Sequence, residues 1–75
     1  MHSILILGAG RSASWLIKYF LTHSAAEQWK ITIADISMEL AQHKTNNHPN
    51  ARAIALDLNN QQLLNEEIKK CEEYY

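Results

Sequence analysis

Cysteine is nearly absent from this chain. Its only copy in 75 residues is Cys71, so there is no internal disulfide and no cysteine-built zinc site. That economy fits a reducing compartment, most simply the cytoplasm. Long apolar runs are missing as well: none approaches the roughly 20 residues that span a bilayer. The first apolar run is too short for a secretory signal, and no basic segment precedes it. Charge of one sign is also lacking, since seven Lys and Arg stand against eight Asp and Glu for a formal net charge of −1. Nothing in that balance asks for nucleic acid or an acidic membrane. Repeats, low-complexity tracts and interdomain linkers do not occur. What is present is globular in balance, with 47% hydrophobic and 20% charged residues. A chain this short holds at most one small domain and is marginal by itself.

Glycine is scarce too, and its placement is informative. The two glycines, Gly8 and Gly10, both fall in one turn. Before it, Ile4-Leu5-Ile6-Leu7 is apolar at every position, which predicts a strand buried on both faces. After it a helical pattern starts at Arg11. Gly8-Ala9-Gly10-Arg11-Ser12-Ala13 therefore fits the dinucleotide fingerprint G-x-G-x-x-G/A in its proper strand–turn–helix setting. Gly8 permits the tight turn, Gly10 lets a pyrophosphate approach the backbone, and Ala13 lets helix lie close to strand. The amides of Arg11, Ser12 and Ala13, unpaired in the first helical turn, would face the anion.

Downstream, Ala13, Leu16, Ile17 and Phe20 predict a helix from Arg11 to His23, with Trp15 and Tyr19 on its flank. Ser24 to Gln28 reads as a polar connection. Trp29 to Asp35 is a β-branched strand closing on an acid. Ser37 caps a short helix over Met38–Lys44, with Glu39 in its first turn and Leu40 and Ala41 inward. A loop around Pro49 leads to a third strand, Ala51–Leu56, which closes on Asp57. Asn59 or Asn60 caps a last helix bearing Leu63, Leu64, Ile68 and Cys71. Were Asn59 the cap, Gln62 would complete a capping box. Glu66 and Lys70 are spaced for an exposed pair. The tail, Glu72-Glu73-Tyr74-Tyr75, shows no pattern.

The order βαβαβα predicts an α/β fold with a parallel sheet and right-handed crossovers. With the fingerprint on the first turn, residues 1–75 read as the N-terminal, mononucleotide-binding half of a Rossmann-type doubly wound sheet, local strand order 3-2-1. The first strand would then show an apolar edge, Ile4–Leu7. The expectation is a segment of a longer polypeptide, or pairing through that edge with a second copy.

Asp35, ending the second strand, is placed to accept hydrogen bonds from adenosine ribose hydroxyls and to repel a 2′-phosphate, so NAD is expected over NADP. Its other reading is a cap for the next turn. Arg11 is a cation that could pair with a phosphate. Asp57 is suited to the adenine amino group, with the Leu58 N–H toward a ring nitrogen, or equally to capping the helix that follows. The four histidines are scattered without metal-ligand spacing, and no set of residues joins nucleophile, base and oxyanion donors.

Ile4-Leu5-Ile6-Leu7-Gly8-Ala9-Gly10-Arg11-Ser12-Ala13-Ser14, Leu16-Ile17-Lys18-Tyr19, Ala34-Asp35, His48-Pro49-Asn50 and Leu56-Asp57-Leu58 together resemble the N-terminal cofactor domain of saccharopine dehydrogenase-related proteins. The resemblance implies an NAD(P)-dependent oxidoreductase acting on the C–N bond of a secondary amine in lysine metabolism. By that analogy Gly8, Gly10, Arg11, Ser12 and Ala13 hold the pyrophosphate, Asp35 the ribose, and Asp57 with Leu58 the adenine. Members that use NADP tend to carry a basic residue after the second strand, where this chain has Asp35-Ile36-Ser37. The family's substrate domain has no counterpart here. Two other classes fit the same residues: a regulatory nucleotide-sensing module that gates a partner, and a structural half that mediates assembly.

Overall fold

Ile4, Leu5 and Ile6 are fully buried, as a strand apolar on both faces demands. In the computed structural model, which describes residues 2–8, 10 and 14–75, they form the middle of β1 (His2–Leu7). β1 pairs in parallel with β2 (Trp29–Asp35), and β2 with β3 (Ala51–Ala55). The period-two alternation of the strands splits the core. Ile4, Ile6, Ile31 and Ile33 face α1 (Ser14–Glu27) and α2 (Met38–Thr45), meeting Ile17, Phe20, Leu21 and Ala41. Leu5, Ala34 and Leu56 gather on the other side, where Leu63, Leu64 and Ile68 of α3 (Gln61–Lys70) pack against them. Helices on both faces of one parallel sheet are the doubly wound arrangement the sequence predicts.

The first strand's edge departs from expectation. Glu73–Tyr74 forms a short strand, β4, parallel to β1, so the order is β3-β2-β1-β4. Backbone bonds run from Glu72 N–H to Ser3 O at 2.9 Å, from Tyr75 N–H to Leu5 O at 2.9 Å, and from Leu7 N–H to Tyr75 O at 2.8 Å. His2 contacts both Glu72 and Glu73, and the Tyr75 ring lies 5.1 Å from that of Phe20. The edge of Ile4–Leu7 is therefore occupied by the chain's own tail and is not open to a second copy.

Local signals set most boundaries. Ser37 caps α2 by accepting the Leu40 N–H at 3.2 Å, and Asn46 ends it in the left-handed region at φ 50. The expected start of α1 at Arg11 lies outside the described residues. Its end is at Glu27, past His23, because Ser24 is buried and turns its hydroxyl onto Leu21 O at 2.8 Å. Gln28 makes the stop at φ 57. Asn60, not Asn59, caps α3 and accepts the Leu63 N–H at 3.2 Å. Gln62 thus sits one position short of a capping box. Leu40 is exposed while Ala41 is buried. The acid that meets Lys70 is Glu67, not Glu66.

Candidate functional site

The carboxyl ends of parallel strands are where open α/β sheets bind ligands, and three features converge there. Gly8 leaves β1 at φ +98, a region that side chains rarely tolerate. Its N–H donates to Ala34 O at 2.6 Å, which ties the turn to the end of β2. A Cβ on Gly8 would meet nothing within 4 Å, so the torsion, not crowding, requires glycine. Gly10 is exposed and likewise open on all sides of a Cβ. No atom of the described residues would crowd a side chain there, whereas the close approach of a diphosphate to the backbone favours its absence. Arg11, Ser12 and Ala13 lie outside the described residues.

The two strand-terminal acids form matching turns. Asp35 Oδ1 accepts the Ser37 N–H at 2.9 Å, and Asp57 Oδ1 accepts the Asn59 N–H at 2.9 Å. The Asp57 carbonyl also receives the Asn60 N–H at 2.9 Å, so its local capping role is realised. That role occupies one carboxylate oxygen. The other has no protein partner among the described residues. A bond from Leu56 N–H to Asp35 O at 2.9 Å sets the two strand ends side by side.

Gly8, Ala34, Asp35, Ile36, Leu56, Asp57 and Leu58 line one cavity of about 250 Å³. Five residues singled out from sequence thus meet at a single place: Gly8, Asp35, Ile36, Asp57 and Leu58. Ala34 and Leu56 form the wall beside them. Ile36 is 72% and Leu58 51% exposed, so two aliphatic side chains stand at the rim next to two carboxylates. This arrangement suits a ligand with hydroxyl or amino donors and a flat apolar ring. A nucleoside has both. Elsewhere, burial pushes the Cys71 thiol above its ordinary range, which argues against a nucleophile there. Among the described residues no helix is long and apolar enough to cross a membrane.

The family model described as "Saccharopine dehydrogenase NADP binding domain" matches residues 4–73. Among solved structures, the apo histidine-tagged saccharopine dehydrogenase (L-Glu forming) from Saccharomyces cerevisiae is similar, with a TM-score of 0.83 at 22% identity. The similarity covers 99% of this chain and 16% of that one, so the chain spans a small part of the yeast enzyme's length. No curated protein matches.

Proposed function

The chain belongs to the saccharopine dehydrogenase NADP binding domain family, and we propose that it holds the ADP portion of a nicotinamide dinucleotide, NAD in preference to NADP. The observation that carries this reading is the cavity uniting Gly8, Asp35, Ile36, Asp57 and Leu58 at the carboxyl ends of β1, β2 and β3. Asp35 receives the adenosine ribose hydroxyls, and its charge disfavours a 2′-phosphate. Asp57 accepts from the adenine amino group and the Leu58 N–H faces a ring nitrogen, while Ile36 and Leu58 flank the base. Gly8 and Gly10 bring the backbone close to the pyrophosphate, which the amides of Arg11, Ser12 and Ala13 and the Arg11 cation receive.

A bound dinucleotide supplies the hydride chemistry; this chain's residues bind and orient it. The larger protein is then an oxidoreductase acting on the C–N bond of a secondary amine, in lysine metabolism and in the cytoplasm. Its nicotinamide site and substrate pocket lie in further polypeptide.

Asp35→Asn tests the reading, because the amide oxygen still accepts the Ser37 N–H while the charge is lost. Calorimetric titration is expected to show NAD bound about tenfold more weakly, the loss of roughly one charge-assisted bond. NADP should gain relative to NAD. An unaltered NAD-to-NADP ratio would remove Asp35 from the ribose, and wild-type chain that binds neither dinucleotide would end the proposal.

A further inference from the structure

The sheet's second face is only half covered. α3 packs its apolar side on Leu5, Ala34 and Leu56. Toward the amino ends of the strands the same face is polar, because Ser3 pairs with Lys30 and Thr32 with Arg52, and Lys30 and Thr32 alternate onto one side. Lys70 and Cys71, at the end of α3, close this region into a cavity of about 240 Å³ with Ser3, Lys30, Thr32 and Arg52. It lies at the opposite edge of the sheet from Gly8, Asp35 and Asp57.

Its cations are held in place. Glu67 is only 7% exposed, and a carboxylate so buried needs partners. It has two: Oε1 accepts from Arg52 Nη2 at 3.3 Å and Oε2 from Lys70 Nζ at 3.2 Å. Arg52 Nε also donates to Thr32 Oγ1 at 3.0 Å, which fixes the guanidinium plane. Lys30 makes no ion pair or side-chain hydrogen bond among the described residues. Three cations against one carboxylate leave a local charge of +2, on a chain whose net charge is −1. Most donors on Arg52 and Lys70, and all of those on Lys30, are not used by the described residues. The Thr32 hydroxyl accepts from Arg52, so its own proton is available to a ligand.

From this cluster we propose a phosphate-class oxyanion site between Lys30, Arg52 and Lys70, independent of the dinucleotide site. A tetrahedral dianion balances +2 and accepts from several directions at once, whereas a single carboxylate would leave a charge unmatched. The anion is either free phosphate or the phosphoryl group of a larger metabolite.

Nitrogen–proton correlation spectra of the chain, titrated with inorganic phosphate against equivalent chloride, test the proposal. Saturable shifts are expected at the Ser3 and Lys30 amides and at Arg52 Nε–H, and they should persist with NAD at saturation. Lys30→Gln should weaken phosphate binding about tenfold (~1.4 kcal/mol) without changing the fold, whereas Lys18→Gln should not. A second arm with glycerol phosphate separates the sources: tighter binding than phosphate identifies a phosphoryl-bearing metabolite, and equal or weaker binding identifies free phosphate. The site is refuted if shifts stay linear to high concentration, if they are confined to the glycine turn and vanish with NAD, or if Lys30→Gln binds as wild type.

Discussion

The glycine turn holds two residues of the same type for different reasons, and substitution separates them. Gly8 has space around a Cβ but a φ of +98, so Gly8→Ala meets no clash and pays only in backbone strain. A cost of about 1–2 kcal/mol is expected in chemical denaturation. Gly10 is exposed and also has space for a Cβ among the described residues. Gly10→Ala should therefore shift stability by less than about 0.5 kcal/mol. It should nonetheless weaken ADP and NAD markedly, since a methyl group would stand where the diphosphate approaches. Calorimetry with ADP beside a denaturation curve for each variant makes the comparison. Equal affinity in Gly10→Ala and wild type would mean that no ligand comes close to that backbone. Asp35 and Asp57 were legible in the sequence because each closes an apolar run. Their meeting around one cavity with Ile36 and Leu58 was not, because it depends on the parallel register of three strands.

At the scale of elements, β4 shows where local pattern runs out. The three longer strands and three helices were legible from apolar periodicity and caps such as Ser37. A two-residue strand has no periodicity of its own, and long-range bonds to the β1 backbone with the clasp of His2 define it. Glu67 was missed for a related reason. Helix-local spacing points to Glu66 and Lys70, but the rotation of α3 buries Glu67 against Arg52 of β3, a partner no helical rule can see.

The clasp also makes β4 sensitive to pH. The His2 imidazole is held above its ordinary range chiefly by its hydrogen bond to Glu73, helped by Glu72 and opposed by desolvation. The Glu73 carboxyl is held below its ordinary range by the Tyr75 hydroxyl first and His2 second. The signs follow from linkage. The His2 contribution is complete below the unfolded imidazole value and is lost as pH rises through the raised one. That of Glu73 is complete above the unfolded carboxyl value and is lost as pH falls through the lowered one. Docking of β4 should thus be firmest between those limits. Amide exchange of Tyr75, whose N–H bonds Leu5 O, corrected for intrinsic rate, should show greatest protection there. His2→Ala should abolish the alkaline loss of protection below the tyrosine range. A profile the same in both chains would leave His2 without a part in the strand.

At the scale of the whole molecule, the parallel sheet separates two edges and two faces. The carboxyl edge gathers acids and exposed aliphatic side chains beside the glycine turn, whereas the amino edge gathers cations over a half-covered face. The α1–α2 face buries a continuous isoleucine layer. What remains is the flank of β1, whose residues Ile4, Leu5 and Ile6 are among the most deeply buried of the core. An apolar strand with unpaired backbone groups is a template for association, and β4 with its flanking residues covers it here. Removing residues 72–75 takes away the donors and acceptors that bond Ser3, Leu5 and Leu7, the acids that clasp His2 and the ring over Phe20. The shortened chain should then self-associate with rising concentration while residues 1–75 sediment as a monomer under the same conditions. Sedimentation velocity across a concentration series makes the measurement. A truncated chain that remained folded and monomeric throughout would mean that β1 tolerates an open edge, and that the tail serves some purpose other than covering it.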